Sequence, residues 1–197
     1  MTLKNKKYQF REVELRNATV QEQDGKMILE GYAVVFNTPT VLFKVGDTEY
    51  KEIIDSKAFN ECDMSDCCLK YNHGGMLLAR VRGGSLKLSV DEKGLFFQAE
   101  LFDTQTSRDV YNIVKQGGLD KCSFAFRVRE EAFDEQTLTR TILKIEKLYD
   151  VAVVDIPAYQ ETSVSARNLF EMEIEDKKKR DLEKSNLRKR LIIESLL

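Results

Sequence analysis

Residues 85–102 read Ser85-Leu86-Lys87-Leu88-Ser89-Val90-Asp91-Glu92-Lys93-Gly94-Leu95-Phe96-Phe97-Gln98-Ala99-Glu100-Leu101-Phe102, and this stretch decides the fold class. Leu86, Leu88 and Val90 alternate onto one face, as a half-buried strand requires. Asp91 to Gly94 then supplies a short turn, with a glycine able to take positive φ, and Leu95 to Phe102 resumes as a second strand. Upstream, Ile28 to Phe36 is β-branched and aromatic and ends in the turn chemistry of Asn37-Thr38-Pro39. Downstream, a second hairpin pairs Lys121 to Glu130 with Leu138 to Tyr149 around a turn at Asp134 to Thr137. Tyr149 to Ile156 follows or continues its second arm, and Pro157 stops it. Helices are fewer. Thr104 to Gln116 carries Val110, Ile113 and Val114, with Asp103 or Thr104 as N-cap and Gly117-Gly118 as the stop, and Ser56 to Asn60 is expected to form a turn or two. Short strands with a covering helix point to a barrel or sandwich, not to βαβ units. The expectation carried forward is a mainly β fold with peripheral helices, in a closed or nearly closed β-barrel.

At 197 residues, with 42% hydrophobic and 32% charged content, the chain has enough apolar material for one real core, which argues against pervasive disorder. No run approaches the length of a membrane span, and no apolar signal-peptide core opens the chain, so a soluble intracellular domain is expected. A net charge of −2 argues against a protein built chiefly to neutralise phosphates, so neither nucleic acid nor membrane is expected as a partner. The four cysteines read as free thiols. Composition shifts near Phe170, giving a domain at 1–170 and a tail at 171–197. In that tail acids come first (Glu171, Glu173, Glu175, Asp176), bases next (Lys177, Lys178, Lys179, Arg180), and the end turns apolar. This order suits a helix dipole, and such a helix could dock the chain onto a partner, although charge runs of this kind are more often solvated, fraying tails.

The only histidine is His73. Leu69-Lys70-Tyr71-Asn72-His73 reads as a short strand running into Gly74-Gly75, which sets the imidazole at a strand–loop junction where active-site residues often sit. In Cys122-Ser123-Phe124-Ala125-Phe126-Arg127-Val128, period two puts Cys122, Phe124, Phe126 and Val128 on the core face. Ser123, Ala125, Arg127 and Arg129 take the other, accessible face, where a serine beside a small residue has room to attack a carbonyl.

These residues carry a resemblance. Gly31-Tyr32-Ala33-Val34-Val35-Phe36-Asn37, Ala58-Phe59, Asn72-His73, Leu78-Ala79-Arg80, Gly84-Ser85-Leu86, Asp91 to Leu95, Ser123 to Phe126, Val151 to Val154 and Pro157-Ala158-Tyr159 follow one another in an order that resembles the prohead maturation proteases of tailed bacteriophages. The resemblance implies an assemblin-like serine endopeptidase, working without a cofactor inside the immature capsid in the host cytoplasm. Its partners would be the scaffold segment of the capsid protein and the enzyme itself as substrate; self-association is left open. The family's histidine falls on His73 and its nucleophile on Ser123. Two positions depart from the family pattern: Gly74 stands where an acid is common, and Ala125 where glycine is common.

A serine hydroxyl needs a base within hydrogen-bond reach, and that base needs a third group to fix its tautomer. Assemblins use a second histidine, which this chain lacks. The third member is therefore a carboxylate, another polar side chain, or absent. Asp150, where family members usually carry an acid, is the first candidate, and Asp155 the alternative; five positions apart, they face opposite sides of a regular strand. Arg127 and Arg80 are candidates for orienting substrate or stabilising the oxyanion. Three rivals compete with this reading. Cys62, Cys67, Cys68 and His73 could bind zinc, though at no standard spacing, so no metal is expected. Cys122 could be a nucleophile, but its parity turns it into the core. A catalytically inactive capsid-assembly protein of the same fold would bind scaffold and cut nothing.

Overall fold

The computed structural model describes residues 9–14, 19–23, 25–155 and 183. Apart from 183 these belong to one compact unit, Met1–Tyr159, with Gln160–Leu197 as a second. The boundary at 170 and the charged tail, residue 183 apart, lie outside the described residues.

Among the described residues 9–155, eleven strands and one helix follow one another: β1 (Gln9–Glu14), β2 (Thr19–Gln23), β3 (Lys26–Val35), β4 (Thr40–Val45), β5 (Thr48–Ile54), β6 (Cys68–Tyr71), β7 (Leu77–Arg80), β8 (Leu86–Val90), β9 (Gly94–Glu100), α1 (Gln105–Lys115), β10 (Lys121–Asp134) and β11 (Thr139–Val154). The hairpin at 85–102 is β8–β9, Leu86 opposite Ala99 and Val90 opposite Leu95. Its turn is held by the Asp91 carboxylate, which accepts from the amides of Lys93 and Gly94 at 2.8 and 2.9 Å. Gly94 serves a different purpose from the expected positive φ. A Cβ there would fall 1.8 Å from the Val34 carbonyl oxygen, so only glycine permits β3 and β9 to pair this closely. Thr104 caps α1 by accepting from the Ser107 amide at 3.2 Å, and Gly117, at φ +74°, ends it. Ser56 to Asn60 forms consecutive four-residue turns instead of helix, with Ala58 bonding back to Asp55 and Asn60 to Lys57.

The barrel expectation is corrected. Two sheets form, a four-stranded one in the order β2-β3-β9-β8 and a seven-stranded one in the order β1-β10-β11-β5-β4, with β6 and β7 attached through β11, and neither closes on itself. The reason lies in β11. Its sixteen residues keep β10 along one edge, while the other edge is divided. Thr139–Ile142 pairs in parallel with β5, and Asp150–Val153 pairs in parallel with β6. A strand that branches its sheet in this way leaves β1, β4 and β7 as terminal strands among the described residues. Leu29, Leu69, Phe97, Phe124, Phe126, Ile142, Ile145, Val151 and Val153 build the core. Complete burial of side chains of this size is worth about 1.5–3 kcal/mol each.

Candidate active site

His73 stands on the turn that joins β6 to β7. Asn72 bends the chain with φ +48°, and its amide still bonds to the Val153 carbonyl at 2.9 Å, so the turn is anchored to β11. Gly75 closes the turn by donating to the Asn72 carbonyl at 3.3 Å. A Cβ at Gly75 would lie 1.8 Å from the Tyr71 carbonyl oxygen, so this glycine is a geometric requirement. Gly74 is the opposite case: a Cβ there meets nothing within 4 Å, so the space for the family's usual acid is open.

Ser123 lies on β10, opposite Ala152 of β11 on one side and Glu12 of β1 on the other. The parity reading holds for Cys122, Phe124, Phe126 and Val128, which join the core. The expected accessibility of Ser123 is corrected: it is 0% exposed, and its neighbour Ala125 is 1% exposed. Alternation tells which face a side chain takes but not what covers that face. Here the His73 turn crosses it.

Asp150 reaches the same face through an irregularity in β11. Phe126 pairs with Leu148 but Ala125 pairs with Asp150, so Tyr149 is an extra residue. This bulge lets Leu148 and Val151 both point into the core while Asp150 turns toward Ser123. The Asp150 Oδ1 lies 2.6 Å from His73 Nδ1, and His73 Nε2 lies 2.6 Å from Ser123 Oγ. A carboxylate can only accept, so Nδ1 carries the proton, Nε2 keeps its lone pair, and the serine hydroxyl donates to it. Asp155 is employed elsewhere, accepting from the Tyr71 hydroxyl at 2.6 Å. The imidazole is 19% exposed and the Asp150 side chain 9%, so the histidine is the member of the set that meets solvent.

The two arginines are engaged apart from these residues. Arg80 donates through Nε and Nη2 to the two Asp66 carboxylate oxygens at 2.7 and 2.6 Å, and Arg127 Nη2 donates to Glu146 at 3.0 Å. Neither bonds to His73 or Ser123. The zinc grouping meets an obstacle, since both ring nitrogens of His73 are already taken by Asp150 and Ser123. Cys122 is fully buried, and burial pushes its thiol well above the ordinary range, so it is no thiolate. One participant was not anticipated. Lys70, on β6, sends Nζ to the His73 carbonyl at 3.1 Å and to within 3.6 Å of Asp150 Oδ2. Its place beside Leu69 on a short strand is its only signal in the sequence, and an alternating lysine reads first as a solvent contact.

The sequence model of the caudovirus prohead serine proteases matches residues 11–179. Among solved structures, the capsid assembly protease gp21 of bacteriophage T4 superposes with a TM-score of 0.50 at 9% identity, over 76% of this chain and 99% of that one. At that identity the likeness concerns the fold alone. No curated protein matches the chain.

Proposed function

Because the chain belongs to the caudovirus prohead serine protease family, we propose that it is a serine endopeptidase of capsid maturation in which Ser123 is the nucleophile, His73 the general base and Asp150 the group that orients the base. The single observation carrying this reading is the continuous line from Asp150 Oδ1 through both nitrogens of His73 to Ser123 Oγ, two contacts of 2.6 Å each. As Ser123 Oγ attacks a peptide carbonyl, its proton passes to Nε2, and the resulting imidazolium returns it to the leaving amine. Proton transfer of this kind contributes about 10²–10⁴-fold. Asp150 stays ionised and steadies the imidazolium throughout. A water then repeats the sequence on the acyl-enzyme. Because the hydroxyl is buried and the imidazole is not, substrate approaches across the His73 turn. The scaffold segment of the capsid subunit and the chain itself are the substrates this reading assigns, and the interior of the immature capsid is its setting.

Intact masses of the purified wild type and of Ser123→Ala test the assignment. Fragments formed by the wild type and absent from the variant support the protease. Identical fragmentation in both traces the cutting to a contaminant, and an intact wild type that still binds capsid scaffold favours a non-catalytic assembly role.

A further inference from the structure

The carboxylate of Asp150 has two partners among the described residues, and only one of them belongs to the proposed catalytic set. Oδ1 meets His73, and Oδ2 lies 3.6 Å from Lys70 Nζ. The same ammonium donates to the carbonyl of His73 at 3.1 Å, three residues further along the chain. Parallel pairing explains this convergence. Asp150 sits opposite Cys68 and Ala152 opposite Lys70, so Lys70 leaves β6 on the side where Asp150 leaves β11, while Leu69 between them is fully buried in the core. The Lys70 side chain is 29% exposed and Asp150 9%, so the ammonium is held where the site meets solvent.

Resting on the protease reading, we propose that Lys70 is a positioning residue of this site. It pins the His73 turn through its carbonyl and holds Oδ2 of Asp150, leaving Oδ1 to the imidazole. A carboxylate with one oxygen uncommitted can rotate away from the ring; an ammonium 3.6 Å from the other oxygen opposes that rotation and favours the Nδ1–H tautomer. Lys70 also sets charge. It offsets part of the negative charge that Asp150 presents to the imidazole. The other ionisable groups facing Asp150 are thiols. Cys67 of the segment leading into β6 and Cys122 of β10 are both held neutral by burial, and Cys68 lies opposite Asp150 in the register. Asp155 and Tyr71, at the far end of the β6–β11 pair, are bonded to each other at 2.6 Å.

The test measures the second-order rate at which a small fluorophosphonate labels Ser123 in the full chain, across about pH 5 to 9 where a histidine titrates. Wild type, Lys70→Met, Lys70→Arg and Ser123→Ala are compared, with adducts located by mass. A charge contact of this length between a half-buried ammonium and a buried carboxylate predicts that Lys70→Met labels about 10-fold more slowly, with the acidic limb of its profile displaced upward. Lys70→Arg, which keeps the charge, is expected to stay within about 3-fold of wild type with the wild-type profile. A Lys70→Met rate and profile equal to wild type overturns the proposal. So does a slower rate with an unmoved profile and a lowered unfolding midpoint, which makes Lys70 a support of the fold only. Absence of Ser123-dependent labelling in the wild type removes the protease reading, and this inference with it.

Discussion

Two groups of buried charge share strands β10 and β11, and they are built to opposite ends. Near the β10–β11 turn, Glu52 of β5 receives Arg11 of β1, which donates Nη2 at 2.7 Å and pairs Nε with the other oxygen, and Arg140 of β11 at 2.9 Å. Arg140 in turn is forked onto Glu131 of β10. Arg140 is 2% and Glu52 3% exposed. Every member is a carboxylate or a guanidinium, groups whose ordinary titration lies far from neutral pH. Ten residues along β11, Asp150 faces an imidazole and an alcohol, whose protons can move near neutral pH. Buried charges with permanent partners tie β1, β5, β10 and β11 together. Charges whose partner can gain or lose a proton do chemistry. Between the two clusters the β10–β11 register shifts at four places, and the bulge at Tyr149 is the one beside Asp150.

Substitutions sharpen this contrast. Ser123→Ala is expected to cost the largest factor, about 10⁶ in turnover by analogy with other serine nucleophiles, with an unchanged unfolding midpoint. Asp150→Asn should lower turnover about 10⁴-fold, because an amide presents the wrong tautomer to Nδ1, and circular dichroism should still report a folded chain. The ionic cluster should behave in the reverse way. Glu52→Gln leaves two buried guanidiniums short of charge and is expected to cost about 3–5 kcal/mol in denaturant unfolding, while folded molecules keep the wild-type labelling rate. If that variant loses labelling but not stability, the division between the clusters fails.

Acid titration addresses the same point more gently. Burial pushes the Glu52 carboxyl up, but the guanidiniums of Arg11 and Arg140 outweigh it and hold the group below its ordinary range. A carboxyl depressed in the folded chain contributes stability that is complete above its unfolded value, about 4.3, and is lost as the pH falls through the lower folded value. Wild type should therefore lose stability more steeply than Glu52→Gln below about pH 4. The smallest effect is expected at Cys122. Cys122→Ala should reduce stability by about 1 kcal/mol and leave labelling of Ser123 within about 2-fold, since this thiol is a core group.

Much of this was legible before any coordinates, and the gaps have physical causes. The 85–102 hairpin and α1 announce themselves because alternation, turn residues and caps are local signals. His73 and Ser123 stood out because one is the chain's sole imidazole and the other lies beside a small residue opposite a core face. Asp150 was preferred to Asp155, yet its orientation depends on an extra residue at Tyr149 that no periodicity displays. Ser123 was expected to be accessible, because a strand pattern does not say which distant turn will cross it. The barrel was expected because hairpins reveal antiparallel neighbours only. The parallel unions of β11 with β5 and β6 join segments far apart in sequence, and those unions open the sheet. Lys70 carries no sequence signal for the same reason, since its meaning comes from the parallel register that sets it beside Asp150.

The presence of one imidazole permits a direct measurement. In a chain labelled with nitrogen-15 at histidine, the two ring nitrogens of His73 are the only signals of their kind. In the neutral ring, Nδ1 is expected to carry the proton, far downfield, with an unprotonated Nε2 perturbed in Ser123→Ala and the downfield proton lost in Asp150→Asn. A proton resident on Nε2, or a spectrum indifferent to both substitutions, would contradict this assignment.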